Sequence, residues 1–392
     1  MNVPPLSVVI PVFNVKAYLP ELFASLQETR RRDVEIILVD DAGQDGSWTW
    51  IEDWGIPLLE GFLVKCIRHE RNLGLSAARN SGLGATTGRY VLFLDSDDVL
   101  EAGALDVIAT EIESSAKDLY FLDFDFLITE HCTFRRPLSA GDTPGAASGG
   151  LLGPLEVMEL QTKWEGSRRY ERMSIPDARA VFDDFLRYTI FYAWSLVIRR
   201  EVLAGLRFVT GVYFEDAQFT ILVTLSAQSF GILAKQPLLL YRQRTGSIMS
   251  RMTTKKIADL TQAITPVYAH PLWHDLTDKG FRLAILTLDL QYHVWAVKDF
   301  NDLDLPNRQL RARIEDAIRD LNARIQDRRG ILRLFMETRA PRDLVYAWLI
   351  LNAPTPWVFA LAKWSSSPIG LWVWRRIKTI RGRWRVREAE VG

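Results

Sequence analysis

Tyr90-Val91-Leu92-Phe93-Leu94 runs directly into Asp95-Ser96-Asp97-Asp98, so a short apolar stretch ends in three carboxylates. An apolar run bounded by polar residues fits a buried strand of a parallel sheet. Ligands of such sheets bind beyond the carboxyl ends of the strands. Carboxylates there are placed to hold a hard divalent cation, and the cation to hold a phosphate. The Asp-x-Asp spacing puts Asp95 and Asp97 on one side if the chain stays extended. The chemistry implied is the handling of a nucleotide-diphosphate compound. Taken alone, an Asp-rich segment after a strand more often makes a turn or a helix cap.

The elements that must position these residues are read from periodicity. Leu6–Val12, Val34–Val39, Val64–Arg68 and Tyr90–Leu94 are short and rich in Val, Ile and Leu, as strands are. Tyr18-Leu19…Leu22-Phe23…Leu26 is an apolar stripe at helical spacing. Asn72–Leu83, dominated by Ala, Ser and Leu, starts another helix. Strand–helix–strand alternation implies an α/β fold with a doubly wound parallel sheet. Asp118–Ile128 alternates as a single strand, which makes Asp123-Phe124-Asp125 one face of that strand rather than a second metal site. Ser139–Gly150 is rich in Gly, Ser, Ala and Pro and reads as a loop. Beyond Lys255 the pattern is helical and amphipathic, as in Phe281–Val297 and Gln309–Ile325.

Polar clusters follow several of these elements. The first strand ends in Pro11-Val12-Phe13-Asn14, and the second in Val39-Asp40-Asp41-Ala42-Gly43-Gln44-Asp45-Gly46-Ser47. The third is followed by Asn72-Leu73-Gly74-Leu75-Ser76-Ala77-Ala78-Arg79-Asn80, and Tyr213-Phe214-Glu215-Asp216-Ala217-Gln218-Phe219 stands far downstream. With the Asp-x-Asp strand end, these five motifs in this order closely resemble the inverting family-2 glycosyltransferases of bacterial polysaccharide and glycan synthesis. The resemblance covers about residues 6–250. It implies a GT-A fold, a Rossmann-like nucleotide-diphospho-sugar transferase core. Ala42 departs from the family pattern, which often has Gly there. Gly43 is expected to permit the turn all the same.

Carried over residue by residue, the resemblance implies that Pro11 and Phe13 line the base pocket with Asn14 beside them. Asp41 would accept a hydrogen bond from the base or ribose, and Asp40 would support its loop. Arg79 would lie near the diphosphate or pair with a carboxylate of the site. Asp97 would be the direct ligand of a Mn²⁺ or Mg²⁺ ion. Asp95 would contact the ribose or the metal and its water, Ser96 would face the donor, and Asp98 would either support the metal ligands from behind or contact the sugar. Tyr241-Arg242-Gln243-Arg244-Thr245-Gly246-Ser247 resembles a segment that closes over the diphosphate, with Arg242, Arg244 and Ser247 as contacts. Trp194 stands where the family has a tryptophan near the acceptor, and it serves equally well as core. The resemblance implies Asp216 as general base with Glu215 on a sugar. Acidic residues at a helix N-terminus also complement the helix dipole. Asn14 and Asn80 serve equally as caps. His270 and His274 have i, i+4 spacing, but Pro271 separates them and no metal role is expected.

Composition narrows the remaining classes. The 392 residues carry 48 Lys+Arg against 48 Asp+Glu, which gives no electrostatic case for nucleic-acid binding. Two cysteines make neither a disulfide framework nor a four-ligand zinc site. No cleavable signal is expected, because Pro4-Pro5 is followed by a strand-like run, and no stretch offers the roughly 20 apolar residues of a spanning helix. Leu371-Trp372-Val373-Trp374 leads into a segment dense in Arg and Lys up to Arg387, and tryptophans interleaved with basic residues favour an anionic membrane surface, the alternative being a helix that packs on a partner protein or second subunit.

The expected organisation is a GT-A domain over 1–250, with a nucleotide-binding half at 1–128 and an acceptor-side half at 129–250. A helical region at 251–340 and an aromatic, basic tail at 341–392 follow. The expected protein is a cytoplasmic enzyme, peripheral on the inner face of the cell membrane and compatible with oligomers. It would move a hexosyl or N-acetylhexosaminyl group from a UDP-sugar to a glycan or lipid-linked glycan. The competing readings are a sugar-nucleotide nucleotidyltransferase and an inactive glycan- or membrane-binding scaffold. The first would want a Gly-rich basic loop after the first strand, and the second should have lost Asp97 or Asp216.

Overall fold

The computed structural model describes residues 3–122, 124–128, 192–233, 237–243, 252–301, 303, 307–338, 341–354 and 357–360. Arg244, Ser247, Cys132, Asp123, the 139–150 loop and the 371–387 tail lie outside the described residues.

A seven-stranded sheet organises the N-terminal part. Its strands are β1 (Leu6–Val12), β2 (Glu35–Asp40), β3 (Leu63–Arg68), β4 (Tyr90–Phe93), β6 (Leu119–Leu122), β8 (Leu196–Arg199) and β9 (Phe230–Leu233), in the order β3-β2-β1-β4-β8-β6-β9. β1, β2, β3 and β4 run parallel, as the strand–helix alternation predicts. β8 runs antiparallel to both β4 and β6, so the sheet is mixed. Every residue of β1 and β2 is buried, which fits a parallel sheet covered on both faces.

A second, three-stranded sheet has the order β5-β10-β7, from β5 (Val99–Leu100), β7 (Phe124–Ile128) and β10 (Leu239–Gln243). The expected single strand over Asp118–Ile128 is therefore two strands in two sheets. Alternation is continuous across the switch, so periodicity does not reveal it.

Helices α1 (Leu19–Gln27), α2 (Ser47–Trp50), α3 (Ile56–Leu58), α4 (Leu75–Ala85) and α5 (Ala104–Ser114) fill the crossovers. α4 packs on β1 at Gly82, where a Cβ would stand 2.3 Å from Val9 Cγ1, so only glycine lets the helix approach that closely. α6 (Glu215–Ser226) begins at the Glu-Asp pair. The C-terminal part is helical, as expected: α7 (Thr254–Leu260), α8 (Thr265–Ala269), α9 (Pro271–Asp275), α10 (Lys279–Asn301), α11 (Arg308–Arg324), α12 (Arg328–Thr338) and α13 (Pro341–Asn352). α8 and α9 pack on α6, and α10 is the spine that α7, α11, α12 and α13 contact. His270 caps α9 through a 3.3 Å bond from the Leu272 N–H to its Nδ1, which accounts for one histidine of the i, i+4 pair. Among the described residues, no helix is long and apolar enough to cross a membrane.

Candidate active site

The site opens where two central strands part. The Val9 carbonyl accepts from the Leu94 N–H on the β4 side of β1, and the Val12 carbonyl accepts from the Asp41 N–H on the β2 side, each at 2.9 Å. Pro11 faces the same side as Val9, and the β1–β4 register ends at Val9 opposite Phe93. The residue with no N–H thus sits where a neighbour would no longer need one. The crevice at the carboxyl ends of β1, β2 and β4 begins there.

Asp95–Asp98 does not stay extended. The Asp98 N–H bonds the Asp95 carbonyl at 3.1 Å, closing a turn. Exposure nevertheless alternates, with Asp95 and Asp97 partly exposed and Ser96 and Asp98 buried. The two carboxylates of the Asp-x-Asp motif share the accessible side through a turn rather than through strand pleating.

Arg79 ties this turn to the distant Glu-Asp pair. It stands in the middle of α4, and its side chain is only 1% exposed. Nη2 donates to Asp95 Oδ1 at 2.9 Å, and Nη1 to Asp216 Oδ1 at 2.6 Å and Glu215 Oε1 at 3.2 Å. The guanidinium lies 5.3 Å over the Phe208 ring, which stacks on Phe219 at 3.7 Å. The next residue, Asn80, makes paired bonds to the Phe208 backbone at 2.9 and 3.0 Å. Of the two roles expected for Arg79, the structure displays the ion pair. Asn80 is a long-range brace rather than a cap.

Burial, then the neighbouring Asp216 charge, raises the Glu215 carboxyl to about 7 against the pull of Arg79. Asp216 is raised too, by burial and by Asp95, with Arg79 opposing. Burial works against the Arg79 charge, but the Asp216, Asp95 and Glu215 carboxylates outweigh it and hold the guanidinium ionised.

Asp41 was expected to reach the base or ribose, but its carboxylate is engaged inside the fold. Oδ1 accepts from the Leu73 N–H at 2.8 Å and stands 2.7 Å from His69 Nδ1, while Oδ2 accepts from the Gly74 N–H at 2.8 Å. The other His69 nitrogen, Nε2, stands 2.9 Å from Ser81 Oγ on α4. Asp41, His69 and Ser81 therefore fix the loop before α4, and so fix Arg79. His69 and Ser81 were missed in the sequence because no motif includes them. Asp40 supports its own loop as expected, its Oδ1 accepting from the Gly43 N–H at 3.4 Å.

Phe13 is 43% exposed at the crevice, and Asn14 beside it has φ 54°. Asn14 Oδ1 accepts from the Gln44 N–H at 2.7 Å, bracing the second loop. The expectation for Ala42 needs correction, because Ala42 itself is left-handed at φ 59°. Gly43 serves close approach instead: a Cβ there would stand 2.9 Å from the Asn14 nitrogen.

Arg242 was expected to contact phosphate, yet it is 4% exposed and turned into the fold. Its Nε donates to the Asp97 carbonyl at 2.7 Å, its Nη2 to Glu21 Oε2 at 2.5 Å, and its backbone N–H to Asp98 Oδ1 at 2.8 Å. Asp98 Oδ2 is buried with no hydrogen-bond partner among the described residues. Burial, Asp97 and Asp95 push the Asp98 carboxyl well above the usual range. Trp194 is 2% exposed, stacked at 4.8 Å on Tyr192 and edge-on to Phe124 at 4.8 Å, so it is core that backs the site. The Ala193 N–H next to it reaches Asp216 Oδ2 at 3.4 Å.

Hard oxygen donors, a carboxylate excess around one guanidinium and the orphaned Asp98 oxygen all fit a divalent cation. Among the described residues, no group of three or more His, Cys, Asp or Glu side chains forms a ready cage.

The sequence profile of the family described as "Glycosyl transferase family 2" matches residues 7–138. Glycosyltransferase GlyA of Streptococcus pneumoniae serotype 4 is 24% identical over 304 residues, which cover 78% of this chain and 38% of that protein. An uncharacterized glycosyltransferase EpsJ of Bacillus subtilis is 27% identical over 249 residues, 63% of each protein. The chain thus spans less than two thirds of the length of either relative. The crystal structure of S. aureus TarS 1-349 in complex with UDP-GlcNAc aligns with a TM-score of 0.64 at 16% identity, covering 92% of this chain and 90% of that one.

Proposed function

The chain belongs to the family-2 glycosyltransferases and has their GT-A fold, and on that premise we propose that it is an inverting, metal-dependent transferase. It takes a hexosyl or N-acetylhexosaminyl group from a UDP-sugar to a hydroxyl of a glycan or lipid-linked glycan. The observation that carries the reading is the Arg79 bridge. It joins the Asp-x-Asp turn to Glu215-Asp216 across more than a hundred residues of sequence. The TarS structures determined with UDP-GlcNAc and with UDP support a uridine nucleotide.

Asp97 and Asp95 would hold the Mn²⁺ or Mg²⁺ ion. When bound, the ion supplies Lewis acidity to the leaving diphosphate. Phe13 offers an exposed ring for the base beside Pro11, and Asp41 shapes the loop that receives the nucleotide. Asp216 is the base. Arg79 holds its Oδ1, while Oδ2, with one long bond from the Ala193 N–H at 3.4 Å, keeps a lone pair to take the proton of the attacking hydroxyl. Its raised affinity for a proton suits that task near neutral pH. Glu215 contacts a sugar, and Arg244 and Ser247 complete the donor site. Attack is in line, so no covalent enzyme intermediate forms. The basic tail at 371–387 holds the protein to an anionic membrane surface.

A thermal-shift panel of nucleoside diphosphates and nucleotide sugars, with and without Mn²⁺, tests this. Metal-dependent stabilisation by a uridine nucleotide, lost in Asp97→Ala, is expected. No stabilisation by any uridine nucleotide would overturn the donor assignment.

A further inference from the structure

The two carboxylates of the Asp-x-Asp turn are held in different ways. Arg79 grips the Asp95 side chain, whereas Arg242 grips the Asp97 main chain through its carbonyl. Arg242 is a buried cation, so something must hold it in place. Its side-chain ion-pair partner is Glu21, near the N-terminus of α1, with Tyr18 5.2 Å beneath the guanidinium. Glu21 is 59% exposed and stands apart from every motif.

From this geometry we propose that Glu21 is a positioning residue for the metal turn. It orients Arg242, Arg242 fixes the Asp97 carbonyl and the Asp98 carboxyl, and that sets the direction of the Asp97 carboxylate. The inference rests on the reading of Asp97 as a metal ligand. It gives Arg242 the role of a clamp rather than a phosphate contact. An exposed carboxylate on a surface helix is ordinarily worth little. This one differs because its partner is buried and bonded to the backbone of a ligand residue. Outer-shell partners of ligating groups typically contribute ~10–100-fold to metal affinity.

The test is Mn²⁺ binding by electron paramagnetic resonance in the presence of UDP, on wild type and on Glu21→Gln, Glu21→Asp, Arg242→Lys and the control Glu28→Gln. Glu28, beyond the other end of α1, removes an equal charge away from the turn. The clamp predicts roughly tenfold weaker Mn²⁺ binding in E21Q, partial recovery in E21D and wild-type affinity in E28Q. E21Q combined with R242K should be no weaker than R242K alone, because both act through one contact. If Arg242 instead bound phosphate, R242K would weaken UDP binding measured without metal while E21Q left Mn²⁺ affinity unchanged. Unchanged Mn²⁺ affinity in E21Q, with wild type binding the ion, overturns the clamp and leaves the metal site standing. No Mn²⁺ binding by wild type overturns the metal reading and the clamp with it.

Discussion

Arg79→Met removes the positive charge that three carboxylates share while keeping a stem of similar length against Phe208. Breaking a buried ion pair by deleting one partner costs about 3–5 kcal/mol. Here the side chains left behind are 22% (Asp95), 11% (Glu215) and 19% (Asp216) exposed, so water relieves part of the loss. That places the expected cost at the lower end, about 3 kcal/mol at pH 8. The cost must depend on pH. Without Arg79, the folded pKa values of Glu215 and Asp216 rise further above their unfolded values, which are roughly 4. A carboxylate raised in this way contributes stability that is complete below its unfolded pKa and is lost as pH climbs through the folded pKa. As pH falls, the raised Glu215 and Asp216 carboxyls of the variant take up protons and their repulsion is relieved. What remains is the lost cation–π contact and its packing, about 1 kcal/mol. At about 2 °C per kcal/mol for a cooperative unit of ~250 residues, the melting temperature should fall by about 6 °C at pH 8 and about 2 °C at pH 5.5. Each value is referred to wild type at the same pH, by differential scanning fluorimetry. An equal drop at both pH values would refute the electrostatic account, because a purely steric defect does not titrate.

Three further outcomes are expected. Ala42→Gly should stabilise the protein by about 0.5–1 kcal/mol, because the left-handed penalty of about 1–2 kcal/mol for alanine exceeds the extra chain entropy glycine loses on folding; a lower melting temperature would contradict this. Asp216→Asn should lower turnover by roughly 10²–10⁴-fold while calorimetry finds nucleotide affinity close to wild type, and unchanged turnover would exclude Asp216 as base. The acid limb of kcat/KM should lie above the ordinary carboxylate range, since burial raises Asp216 and the base must be ionised; a limb at or below that range would remove Asp216 as the titrating base.

Much of the architecture could be read from local sequence. β1 has the expected bounds, β2 shifts by one residue at both ends, and β3 and β4 each differ by one residue at one end. The motifs also meet where a parallel sheet would bring them. What escaped depends on partners far away in the chain. Asp41 looked like a ligand contact because its acceptors are filled by His69, Leu73 and Gly74, about thirty residues on. Arg242 looked like a phosphate contact because Glu21, its partner, is 221 residues away. The Ala42 turn was misjudged for a local reason. Composition shows a glycine in the loop but not which residue adopts positive φ. Asn14, also left-handed, carried no sign of it beyond being an asparagine.

The strand order has a consequence for how the protein is made. β8 lies between β4 and β6, so β4 completes its pairing only when residues 196–199 arrive. At about 5–20 residues per second, the ribosome spends on the order of 5–20 s between finishing β4 and delivering β8. Through that interval the nascent chain displays a four-stranded, Val- and Leu-rich sheet whose β4 edge is open in addition to the β3 edge, and Arg79 has neither Glu215 nor Asp216 beside it. Such edges template association between chains. Expression that stalls or stops between β7 and β8 should therefore yield aggregate rather than a soluble nucleotide-binding fragment. The protein's yield in cells then depends on how quickly translation crosses that stretch.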